Sequence, residues 1–207
     1  MVWWMAFQLA VAAVPTGVVP QLAPIDAPES WKDYVKSAHL PATELACEPV
    51  WPDVALVCFK IRENGKRRWV TSADLAAWKV DTAGLRASLL DGARAALAGQ
   101  PVPTKVDGGP QLYWQAAEGD GWSAAGILMP ELVADKLGTK VFYAAIPTGE
   151  ATLFWRPGDA DLDRIMAVGV KEMFQAADSG VTPVVYQWSG GLWTPFMEAK
   201  VADPPKK

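Results

Sequence analysis

Reactions near neutral pH ask a protein for a base, an activated nucleophile, a metal cage or a phosphate cradle. The 207-residue chain is sparing with all of them. His39 is its one histidine, the residue type whose ordinary titration straddles neutrality. It stands in Ser37-Ala38-His39-Leu40-Pro41, the expected end of a short helix, where exposure or a bond to a carbonyl explains it more simply than catalysis. Gly121-Trp122-Ser123-Ala124-Ala125-Gly126 misses the G-x-S-x-G nucleophile elbow by one residue, and a Ser-His-Asp relay there would again need His39. Asp159-Ala160-Asp161-Leu162-Asp163 opens like a calcium loop, but Arg164 replaces the sharp glycine turn and Val170 the bidentate glutamate. Acids loading the positive end of a helix are the simpler reading. Cys47 and Cys58 with a single histidine cannot complete the usual structural zinc sets, so no metal site is expected. No Walker loop, dinucleotide fingerprint or H-E-x-x-H occurs, and no cofactor is expected.

What the chain has in surplus is tryptophan, eleven in all. Indoles serve as core bulk, as interface anchors or as stacking platforms. In the second half Tyr113, Trp114, Trp122, Trp155, Tyr186, Trp188 and Trp193 form the set that could stack on sugar rings or grip a peptide. Adjacent pairs such as Tyr113-Trp114 and Phe154-Trp155 point to opposite faces of a strand, so most of the set belongs in a core and one or two members stay open. Trp114, Trp122, Trp155, Tyr186, Trp188 and Trp193 are the candidate binding residues. Arg62, Lys66, Arg67 and Arg68 surround an Asn64-Gly65 turn and read as a solvated rim. With 19 basic and 23 acidic residues the net charge is -4, which provides no field for a phosphate backbone, and no nucleic-acid partner is expected.

The elements that must hold these residues can be read from period and punctuation. Residues 44–50 and 54–61 are strand-like, and Asn64-Gly65 supplies the φ > 0 pair of a hairpin into residues 66–70. Cys47 and Cys58 then lie near opposition and would join in an oxidising compartment. Thr71-Ser72-Ala73-Asp74 is a capping box opening a short helix, and Asp81 or Thr82 caps a longer one carrying Leu85, Leu89, Ala93, Ala96 and Leu97. Beyond Pro101, strands are expected over 111–116, 141–146 and 152–155, with helices over 122–129 and from Pro130 to Gly138. A helix from Asp161 to about residue 177 should bury Leu162, Ile165, Met166, Val170, Met173 and Phe174. Strands over 184–188 and 192–197 close a hairpin about Gly190-Gly191, which sets Trp188 opposite Trp193. Covered by that helix, the pair is core; left open, it is the best ligand platform. The fold class is α+β, antiparallel sheet pieces with helices packed on one face, in two similar-sized units over 31–100 and 101–200.

Residues 2–14 hold one polar residue, Gln8, a run shorter than the ~20 residues of a spanning helix but suited to a signal peptide, though no Lys or Arg precedes Lys32. Residues 1–30 are therefore read as an apolar N-terminal segment with a proline-stiffened linker, and 201–207 as a frayed tail. Export is favoured, the cytoplasm is the alternative, and no stable transmembrane span is expected.

Asp120-Gly121-Trp122-Ser123-Ala124-Ala125-Gly126-Ile127-Leu128, Tyr143-Ala144-Ala145-Ile146-Pro147 and Leu153-Phe154-Trp155 resemble the C-terminal half of the YtpQ-like bacterial proteins, a family without assigned function. Arg68-Trp69-Val70-Thr71, Asp74-Leu75 and Trp78 are similar to its first half, so the resemblance covers about residues 40–197. Where such proteins carry Arg-Asp after the proline segment this chain has Gly149-Glu150, and the resemblance implies no activity. The residues themselves favour a non-catalytic binding or interaction module with a protein or glycan partner. The alternative is a small hydrolase or glycan-acting enzyme using carboxylates, recognisable by two acids converging in one pocket.

Overall fold

Asn64 and Gly65 take φ of 50° and 78°, the left-handed pair that folds β3 (Ala55–Glu63) onto β4 (Lys66–Trp69). In the computed structural model, which describes residues 14–24, 36, 44–51, 54–99, 104–105, 112–115, 124–149, 151–158, 160–177 and 180–198, β3 is the middle of a four-stranded antiparallel sheet. β1 (Val18–Pro24) pairs along one side of it, and β2 (Cys47–Trp51) and β4 lie along the other. The proline stretch expected as a linker thus supplies a largely buried strand. The reason is positional. Arg62 N–H donates to Gly17 O, which fixes the ladder alternation so that Pro20 and Pro24 fall at sites whose backbone points away from β3. On an edge strand those missing donors take nothing from the ladder.

Val57, Phe59 and Ile61 alternate onto one face of β3, where Leu75 of α1 (Ser72–Trp78) and Leu85 and Leu89 of α2 (Thr82–Gly99) cover them. Both halves of the capping box form at Thr71 and Asp74, and Asp81 Oδ1 accepts from Gly84 N–H at 2.6 Å at the start of α2.

The second sheet has six strands in the order β10-β9-β7-β8-β6-β5, antiparallel throughout. They are β5 (Thr104–Lys105), β6 (Leu112–Gln115), β7 (Phe142–Ala145), β8 (Leu153–Trp155), β9 (Val184–Ser189) and β10 (Leu192–Glu198). Helices α3 (Ala125–Leu128), α4 (Pro130–Leu137) and α5 (Ala160–Ala176) complete the α+β architecture. α5 packs on Tyr143, Ala145, Leu153, Trp155 and Val185. The opposite face, with Phe142, Ala144, Phe154, Tyr186 and Trp188, meets α3 and α4, the end of α2, and Leu22, Trp51 and Ala55 of the first unit. The two units therefore share one core cluster, and α2 serves both sheets, Leu85 and Leu89 in one and Ala93 and Leu97 in the other.

The expected face of α5 is rotated. Met166, Val170 and Met173 pack into the core as expected, but Ile165 is 60% exposed, and Asp163 and Ala167 are buried in its stead. Trp155 explains the turn, because its indole N–H donates to Asp163 Oδ1 at 3.2 Å and draws that acid into the interface. Among the described residues no helix is long and apolar enough to cross a membrane.

Candidate functional site

The β9–β10 hairpin turns through Gly190 and Gly191, with φ of 59° and 87°. Leu192 pairs with Ser189 and Trp193 with Trp188. A two-residue loop makes its flanking pair hydrogen-bonded, so Trp188 and Trp193 occupy the next, non-hydrogen-bonded pair, where side chains come closest. Their ring centroids lie 5.0 Å apart, tilted by 54°. Trp188 is 9% exposed and Trp193 half-buried. Trp51 from the first unit reaches the same cluster, stacked on Tyr186 at 3.9 Å and edge-on to Trp193 at 5.4 Å. Phe142 meets Trp193 at 5.6 Å and 89°. Trp193 is thus held by rings from three directions. Burial also pushes the pKa of the Tyr186 hydroxyl above its ordinary value.

Trp188, Trp193 and Gly191 form one wall of a groove of about 460 Å³ between the two units. Pro49 and Val50 of β2 and Arg86 and Leu90 of α2 come from the first unit. Ile127, Leu128, Pro130 and Glu131 come from α3 and α4. Arg86, 48% exposed, lies 3.0 Å from Glu48 Oε1 in an ion pair. The separation is that of a salt bridge, but the donor is not aligned on the buried oxygen, which leaves a carboxylate with acceptor capacity to spare. Glu131 is exposed in the first turn of α4, where it also favours the helix dipole. The arrangement can stack a flat apolar surface and hydrogen-bond a polar rim. Among the described residues no group of His, Cys, Asp or Glu could hold a metal ion.

Of the candidate binding residues whose side chains are described, the structure brings Tyr186, Trp188 and Trp193 into one cluster, and Trp188 and Trp193 line the groove. Trp155 lies on the far face of the sheet, almost fully buried and bonded to Asp163. Trp114 is placed in β6 with its backbone paired to Phe154, and Trp122 lies outside the described residues, as do His39, most of the N-terminal apolar run and the tail. The helix over 160–176 covers the face opposite the Trp188–Trp193 pair. Cys47 and Cys58 are directly paired across β2 and β3 and joined by a disulfide, with Cα atoms 4.1 Å apart.

No protein-family model matches the chain, and no curated protein and no solved structure matches it. The groove stands on its own geometry. Sequence reasoning missed Trp51, Arg86, Glu48 and Glu131 as neighbours of the hairpin. Trp51 carried a signal, a large indole flanking a turn. The charged residues carried none, because nothing local distinguishes them from any solvated helix face.

Proposed function

We propose that the protein is a non-catalytic binding protein that holds its ligand in the groove between the two units, with Trp193 as the stacking surface. The observation that carries this reading is a half-buried indole, packed against three other rings, that lines the same groove of small-molecule size as an arginine and a glutamate. Trp188 is the buried support and Trp193 the working face. Glu131 lines the groove and Glu48 is tied to Arg86 beside it, an arrangement suited to recognition. The YtpQ-like resemblance of the sequence adds no activity, so the proposal rests on the groove.

The test is affinity capture from the protein's own cells with the wild type and with Trp193→Ala. Trp193→Ala should melt within a few degrees of the wild type yet lose the captured material. Trp188→Ala should instead destabilise by ~3 to 5 kcal/mol, the range for emptying a buried aromatic site. Equal capture by the wild type and by folded Trp193→Ala would sink the reading.

A further inference from the structure

The composition of the groove narrows the class of ligand, a step that rests on the binding reading above. Trp51, Phe142 and Trp188 all pack against Trp193, and Phe142 against Trp188, so the rings gather into one block rather than a cage. A quaternary or methylated ammonium is held by several faces that surround it, which this packing does not provide. Arg86 is already balanced by Glu48, and among the described residues no cation pairs with Glu131, so the rim is one charge negative and opposes an anion. Arginine only donates and carboxylate only accepts. A ligand satisfying both at neighbouring atoms must itself donate and accept, as hydroxyl groups do.

We infer that the groove takes a neutral sugar ring, as one or two units of an oligosaccharide, stacked on Trp193 with its hydroxyls bonded to Arg86 and Glu131. The slightly positive C–H bonds on the apolar face of a pyranose meet the negative face of the indole. The volume of about 460 Å³ falls in the ~300 to 1,000 Å³ range of small-molecule sites. A proline-rich peptide is gripped between aromatic ridges and makes less use of the two charged groups.

The experiment is an array carrying neutral, acidic and amino-bearing glycans beside proline-rich and lysine-rich peptides, probed with the wild type, Trp193→Ala, Arg86→Gln and Glu131→Gln. Neutral glycans should retain the wild type. In titration with the best-retained glycan, Trp193→Ala and Arg86→Gln should bind at least about tenfold more weakly. Glu131→Gln keeps an acceptor but loses the charge that strengthens its bond to a hydroxyl, so it should weaken the neutral glycan several-fold and newly admit acidic glycans. Melting curves identify any variant that loses binding by unfolding, and Glu131→Gln, on the exposed side of α4, tests the site without disturbing the Arg86 pair. Retention by peptides alone, or by charged glycans in preference to neutral ones, overturns the sugar inference while the binding groove stands. If no ligand on the array separates folded Trp193→Ala from the wild type, both fall together.

Discussion

A single arginine ties the first hairpin to the first helix. Arg68 is 2.8 Å from Glu63 and 2.7 Å from Asp74, whose carboxylate also accepts from the backbone and hydroxyl of Thr71. Burial on its own would raise the Asp74 pKa, yet the hydrogen bonds from Arg68 and Thr71 outweigh it and hold it below the ordinary carboxylate value. A depressed folded-state pKa gives stability that is complete above the unfolded value of about 4 and is lost as pH falls through the folded one. Melting temperature should therefore drop through the acid range below about pH 4, and Asp74→Asn should flatten that limb. Parallel curves for the two proteins between pH 5 and pH 2 would show that the carboxylate is not held down. At neutral pH Asp74→Ala removes half of the capping box and should destabilise by about 1 to 2 kcal/mol.

At the scale of elements, the disulfide is a consequence of register. Residue 58 points its backbone toward β1, because the alternation fixed by Arg62 and Gly17 makes Gln21 and Cys58 a hydrogen-bonded pair. Toward β2 the same residue is then non-hydrogen-bonded, the site where cross-strand side chains approach most closely. Urea unfolding with and without dithiothreitol should show the wild type losing about 2 to 4 kcal/mol on reduction, and Cys47→Ser/Cys58→Ser should be indifferent to the reductant. A wild-type midpoint unmoved by reduction would mean the thiols are free in the native protein. This pairing was legible in the sequence, as were the Asn64-Gly65 and Gly190-Gly191 turns and the Thr71 cap, because each is set by neighbours a few residues away. The strand over 18–24 was not. Its prolines read as a linker until a partner strand shows which side of the ladder they occupy. The rotated face of α5 was missed for a related reason, since Asp163 turns inward for a bond to Trp155 that no helical period encodes. Half of the site shared that fate: the hairpin indoles follow from period two, whereas Arg86 and Glu131 reach the groove only through the packing of two units.

For the whole molecule, the two units expected from the sequence are joined by a core that neither could close alone. Trp51 is fully buried and stacks on Tyr186, and the cluster around it mixes Leu22, Ala55 and Leu97 with Phe142, Phe154 and Trp188. Gly149 marks a second seam. Gln21 Nε2 donates to its carbonyl, and a Cβ there would stand 2.7 Å from the Leu22 carbonyl oxygen. Units sharing this much interior should unfold as one. Trp51→Ala should remove ~3 to 5 kcal/mol and lower a single transition seen alike by far-ultraviolet and near-ultraviolet circular dichroism. Two separated transitions in the wild type would show that the units are independent after all.

Among the described residues β10 closes one end of the six-stranded sheet, and an unpaired strand edge invites addition of a strand from another molecule. Leu192 and Phe196 are exposed along it, which sharpens that hazard. Pro195 pairs with Tyr186 at a non-hydrogen-bonded site, so the position where its amide would face outward has no hydrogen to offer, and the ladder slips register between Pro195 and Met197. An incoming strand finds neither a full row of donors nor a flat bed. The hairpin can carry a half-buried indole because its own outer rim is a poor seed for aggregation, and so the residues of the proposed binding face also guard the edge of the sheet.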